Sequence, residues 1–163
     1  MTWKAGSDVT QKQRQPQQPE AGRCVALVTD DPTFRHIVGT ALTGKGVAVL
    51  ACGDEGTARE VIASAPPAAL VLEVSLGGDI CGIGLVKALR RDRATASVPI
   101  VVCSADARFL DLHLLELVHL GCDVLGIPYN FALLNATLNQ AIRRGPVQAP
   151  VASRAYAGSL AAV

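Results

Sequence analysis

Aromatic side chains are scarce, at 4% of the 163 residues. Platforms for single-stranded nucleic acid interleave aromatic and basic residues, and no segment here does so. Neither sign of charge dominates: 15 Lys and Arg stand against 14 Asp and Glu, a formal charge of +1. Such a chain carries no strong field to steer it toward nucleic acid or an acidic membrane. The five cysteines, Cys24, Cys52, Cys81, Cys103 and Cys122, form no C-x-x-C pair. That weighs against a metal or disulfide framework. Cys24, Cys52 and Cys103 sit in or beside apolar runs, where reduced thiols act as small buried hydrophobes. The three histidines are scattered, and His113 and His119 are not spaced to share a helix face. No uncharged apolar run reaches the roughly 18 residues that span a bilayer. The first residues lack the apolar stretch of a signal peptide. The expected address is the cytoplasm, without membrane attachment.

Half of the residues are hydrophobic, chiefly Ala, Val and Leu, which suits a compact α/β core. Residues 1–22 are rich in Gln and Pro without apolar periodicity, and are expected to form a disordered arm. Residues 145–163, after the Gly145-Pro146 breaker, are expected to form a flexible tail, although SLAAV at its end could dock. Between them lies one domain, 23–144. Apolar runs at 24–28, 47–52, 69–74 and 100–104, and a shorter one at 123–127, have the character of strands buried on both faces. Helical periods separate and follow them. Asp31 before Pro32 and Asp54 before the next period suit helix N-caps. Strict alternation of five strands and five helices predicts a doubly wound parallel sheet in the order 2-1-3-4-5. In that architecture ligands bind at the carboxyl ends of the strands.

Four segments in that order carry a resemblance. VALVTDDPTFR is an apolar strand that ends in acids, followed by Pro and Arg. PAALVLEVSLGG is a third strand with an acid near its end. PIVVCSA is a fourth strand that ends in a hydroxyl residue and Ala. GCDVLGIPY is a fifth strand followed by Pro and an aromatic. Together they resemble the CheY-like receiver domain of bacterial two-component response regulators, over residues 23–144. The resemblance implies a flavodoxin-like fold and a phosphorylation pocket at the strand ends. It also implies how such a pocket works. An acidic pair holds Mg²⁺, a carboxylate accepts the phosphoryl group, a Lys neutralises it, and a Ser or Thr hydroxyl bonds one of its oxygens.

Carried over residue by residue, the pocket departs from that pattern. Glu73 stands at the phosphoacceptor position in place of Asp. Asp30 matches a metal-binding acid, but Thr29 replaces its partner, and Asp31 is free to cap a helix. Ser75 would lend a backbone carbonyl to the metal, and Ser104 matches the switch hydroxyl. Ile127 replaces the Lys, while Pro128 and Tyr129 keep the pattern around it. Val124 takes the place of the switch aromatic, and the 77–82 loop carries one extra residue. Loss of the Lys charge and of one acid argues against phosphoryl transfer, and would leave Mg²⁺ weakly held through Asp30, Glu73 and Ser75. No other cofactor is expected. Glu73 puts a carboxylate near where a phosphoryl group would sit, but one carboxylate supplies less charge than the −1.5 to −2 or so of a phosphoryl group.

The helix at 106–120 is more apolar than one buried face requires. Leu115 and Val118 are expected to face the sheet, and Leu110, Leu114 and Leu117 to form a second stripe. In receivers the corresponding helix, the last strand and the last helix make the usual partner face. The expected interaction surface is therefore 106–142, with Leu110, Leu114, Leu117, Val124 and Tyr129. It would serve a histidine kinase, a regulator or a second copy. Arg90, Arg91 and Arg93 fit a solvated helix end. The sequence thus points to a stand-alone pseudo-receiver that signals by protein contact, with no catalytic residues. One alternative is a working phosphoacceptor in a phosphorelay. Another is a small flavodoxin-like enzyme or ligand-binding domain. Against the last stands the lack of any nucleophile–base pair or phosphate-binding loop.

Overall fold

The computed structural model describes residues 23–74, 82–127 and 130–145. The expected arm at 1–22, the tail from 146 onward, Ser75, most of the glycine-rich loop, Pro128 and Tyr129 lie outside the described residues. The element order is β1 (Cys24–Val28), α1 (Pro32–Thr43), β2 (Ala48–Cys52), α2 (Glu55–Ser64), β3 (Ala69–Glu73), α3 (Ile83–Arg91), β4 (Ile100–Ser104), α4 (Ala107–His119), β5 (Cys122–Gly126) and α5 (Phe131–Arg144). The five strands are parallel and lie in the order β2-β1-β3-β4-β5.

Alternation along the strands builds two cores. Ala26, Val28, Leu70, Leu72, Ile100 and Val102 point to one face, against α2, α3 and α4. Val25, Leu27, Ala69, Val71, Val101 and Cys103 point to the other, against α1 and α5. A strand apolar at every position needs both faces covered, and here it has them. Cys52, Cys103 and Cys122 are buried free thiols, and Cys24 is half-buried.

Side chains fix the helix starts. Asp31 accepts from the amides of Thr33 and Phe34, Asp54 from Thr57, Asp106 from Arg108 and Phe109, and Asn130 from Leu133. Each bond satisfies an amide that the helix itself leaves unpaired. α3 begins differently. Gly82 has φ +78°, and its amide donates to Glu55 Oε1 at 2.7 Å. A Cβ there would stand 2.3 Å from Val74 Cγ1, so the turn admits only glycine.

Two expectations fail. Arg90 is not a solvated helix end. Its Nε donates to the Leu120 carbonyl at 2.7 Å, and Nη1 donates to the carbonyls of Ala96 and Val98 at 3.0 and 2.8 Å. The guanidinium ties together the segments that lead into β4 and β5, using the several donors of its planar fork. The phase of α4 is also turned. Phe109 and Leu117 are fully buried in the core, and Leu110 packs against it. Leu115 and Val118 are exposed. Leu117 therefore belongs to the core and not to an interaction face. β5 begins one residue earlier than the apolar run suggested, which leaves Ile127 just beyond its end.

Candidate functional site

The parallel register lines up the strand ends. Val28 pairs with Leu72, so Thr29 follows beside Glu73. Glu73 pairs with Cys103, and Ser104 pairs with Gly126, with Ile127 next in the chain. The sheet thus brings Thr29, Glu73, Ser104 and Ile127 to one carboxyl edge, with Asp30 and Asp31 beside them. Ser75 and Tyr129 lie outside the described residues.

The polar groups at this edge satisfy one another. Thr29 is fully buried, and its hydroxyl donates to Glu73 Oε2 at 2.6 Å. The Thr29 hydroxyl oxygen in turn accepts the Asp31 amide at 3.0 Å. The Thr29 amide donates to the Cys52 carbonyl at 3.1 Å. Its carbonyl accepts Arg35 Nη2 at 3.0 Å. Ser104 is likewise fully buried: its hydroxyl donates to the Val74 carbonyl at 2.8 Å and accepts the Asp106 amide at 3.1 Å. A hydroxyl has one proton to give. In both residues that proton is already given to a protein oxygen.

Electrostatics at Glu73 follow from this packing. Burial pushes its carboxyl above the ordinary glutamate range. The Thr29 hydrogen bond opposes that shift, and the neighbouring Asp31 and Asp30 carboxylates add to it. Ile127, in the expected Lys position, is partly buried against the α1–α5 core, and its amide donates to the Ser104 carbonyl at 2.7 Å. An aliphatic side chain there leaves the position without the positive charge that a phosphoryl group needs. Arg35 closes the VALVTDDPTFR motif. Its guanidinium braces the Thr29 loop, and its Nε is buried without a hydrogen-bond partner.

The second candidate surface is the flank made by α4, β5 and α5. A groove of about 580 Å³ runs there between Leu114, Val118, Val124 and Ala141, with Pro99 and Cys122 also in its lining. Burial pushes the Cys122 thiol up to about 11. Arg144 and Asp123 form an ion pair at the rim. Further out on α4, Leu112 and Leu115 are 67% and 62% exposed. Of the residues expected at an interaction face, Leu114 and Val124 line the groove, and Leu110 and Leu117 are drawn toward the core.

No protein-family model matches the chain. The phosphate regulon transcriptional regulatory protein PhoB of Pseudomonas aeruginosa is 27% identical over 134 residues. That match covers 80% of this chain and 57% of PhoB, so the chain spans little more than half of that relative. A sensor protein from Polaromonas sp. JS666 superposes with a TM-score of 0.66 at 30% identity, covering 75% of this chain and 97% of the other. The receiver domain of a sensor histidine kinase from Pseudomonas aeruginosa PAO1 superposes with a TM-score of 0.65 at 23% identity, covering 76% and 99%. The chain belongs to the receiver-domain family. The histidine-kinase receiver was solved with a magnesium ion coordinated in its active-site cleft. In the present receiver the equivalent donors do not fit that ion. A neutral hydroxyl stands at position 29, the Asp31 carboxylate caps α1, and Glu73 accepts from Thr29 with its pKa raised. Among the described residues, no group of three or more His, Cys, Asp or Glu side chains could hold a metal ion.

Proposed function

We propose that this receiver acts in two-component-type signal transduction by binding a protein partner through the α4–β5–α5 flank, without being phosphorylated. The observation that carries the reading is the Thr29–Glu73 hydrogen bond at 2.6 Å. It occupies the acceptor carboxylate with the residue that stands where a second metal-binding acid is expected. The replacement of Lys by Ile127 and the commitment of the Ser104 hydroxyl to Val74 support the same conclusion. A phosphoryl group at position 73 would meet two nearby acids, Asp30 and Asp31, with no lysine and weak Mg²⁺.

Glu73 is a poor permanent stand-in for a phosphoryl group. Its raised pKa disfavours the charged form, and it offers two oxygens where a phosphoryl offers three. The partner is a histidine kinase, a regulator or a second copy of this chain, and its footprint centres on Leu114, Val118 and Val124. The protein performs no catalysis of its own in this scheme and binds no nucleic acid. A cytoplasmic setting fits, and among the described residues no helix is long and apolar enough to cross a membrane.

The test is an amide spectrum of the protein recorded with Mg²⁺ and beryllofluoride, which mimics a carboxyl-bound phosphoryl group. The expected result is no displacement of the Ser104, Ala105 and Ile127 amides. Saturable displacement of these signals together with those of α4 would overturn the proposal.

A further inference from the structure

The apolar groove on the flank opens beside Gly145, where α5 ends. Gly145 lines the groove, has φ +72°, and donates its amide to the Ile142 carbonyl at 3.1 Å. A left-handed residue at that point turns the chain off the helix axis. Residues 146–163 follow directly. Val147, Val151, Tyr156 and Leu160 punctuate that segment, and Arg154 is its one charged side chain. We infer that this C-terminal segment is the resident occupant of the groove, lying over Leu114, Val118 and Val124 of its own chain.

Three features support this occupant. The first is chemical. The groove is lined chiefly by aliphatic side chains, with the Asp123–Arg144 pair among them, and the segment is composed mainly of small apolar residues with one charged side chain. The second is reach. Residues 146–163 extend to about 60 Å at roughly 3.3 Å each, while α4 is about 20 Å long at 1.5 Å per residue. The third is concentration. A segment tethered at the groove rim sees it at an effective concentration on the order of millimolar, far above that of a free partner. A second copy of the chain is the competing occupant, since the exposed Leu112 and Leu115 continue the apolar surface outward.

The experiment uses the full chain, with its methyl groups labelled and diluted into unlabelled protein so that only contacts within one molecule are seen. The expected result is magnetisation transfer between Tyr156 or Leu160 and the methyls of Leu114, Val118 or Val124. In a Tyr156→Asp/Leu160→Asp variant these contacts vanish, and amide exchange at Leu114 to Val118 accelerates about tenfold, with the core methyl spectrum unchanged. Both substitutions fall outside the ten described elements, and the unchanged core methyl spectrum checks that the fold is kept. Absence of intramolecular contacts in the wild-type chain overturns the inference. Contacts seen only between differently labelled molecules overturn it as well, and assign the groove to a second copy.

Discussion

Thr29 and Ser104, both fully buried, sit at one end of the sheet, and Leu112 and Leu115, both more than half exposed, sit on its flank. The first pair gives its hydroxyl protons to Glu73 and to the Val74 carbonyl. The second pair keeps most of its apolar surface exposed among the described residues. In a receiver built for phosphoryl chemistry these roles are reversed in emphasis, because the carboxyl edge must keep donors and charge ready for an incoming anion. Here the edge is closed by its own hydrogen bonds, and the flank is left with unspent apolar surface. The two regions differ in what each leaves unsatisfied.

Substitutions can break that contrast, and the largest effect is expected within α4 itself. Leu117→Ala removes a fully buried side chain and is expected to cost about 3 kcal/mol of stability. Leu115→Ala, two residues away and exposed, should change stability by less than about 0.5 kcal/mol. Chemical denaturation of the two variants measures both. A larger loss for Leu115→Ala than for Leu117→Ala would mean that α4 is turned as its sequence alone suggested, and that the flank is not the free surface described.

Next comes the support beneath the groove. Arg90→Met leaves the carbonyls of Val98 and Leu120 without their charged donor. A loss of roughly 2 kcal/mol is expected, with faster amide exchange around Gly121 and Cys122 and little change at Thr29. Uniform acceleration across the sheet would erase the distinction between the two regions.

At the carboxyl edge the effects are smaller. Thr29→Val keeps the shape but removes the donor to Glu73 and the acceptor for the Asp31 amide. The expected cost is about 1 to 2 kcal/mol, and the Glu73 pKa should rise further because the one hydrogen bond that lowers it is gone. Glu73→Gln is expected to act in the opposite direction. The folded pKa of Glu73 lies above its unfolded value, so its contribution is fully present below about pH 4.3 and is lost as pH rises through the folded pKa. The Gln variant lacks this loss. Its melting temperature relative to wild type should therefore climb with pH across that window, by an amount worth less than about 1 kcal/mol. A pH-independent difference would show that Glu73 is not buried against Thr29 as described.

The sheet was legible because its signals are local. Apolar runs at 24–28 and 100–104 and the caps Asp31 and Asp54 each declare themselves within a few residues. The substitutions at 29, 73 and 127 were legible too, since the surrounding motif fixes their positions. What could not be read was the pairing of Thr29 with Glu73, which are 44 residues apart and meet only through the strand register. The phase of α4 failed for a different reason. With leucine at 110, 112, 114, 115, 117 and 120, apolar periodicity supports several faces at once, and only packing of Phe109 and Leu117 into the core decides between them. Arg90 misled because an arginine at a helix end is commonly solvated, whereas here the incoming β4 and β5 segments present carbonyls to it.

The central claim is that position 73 does not accept a phosphoryl group. Its most direct test is the intact mass of the full chain after incubation with Mg²⁺ and acetyl phosphate, whose acetate would leave as the Glu73 carboxylate attacked phosphorus. The account predicts an unchanged mass. A stoichiometric adduct that hydroxylamine removes, and that Glu73→Gln abolishes, would contradict it.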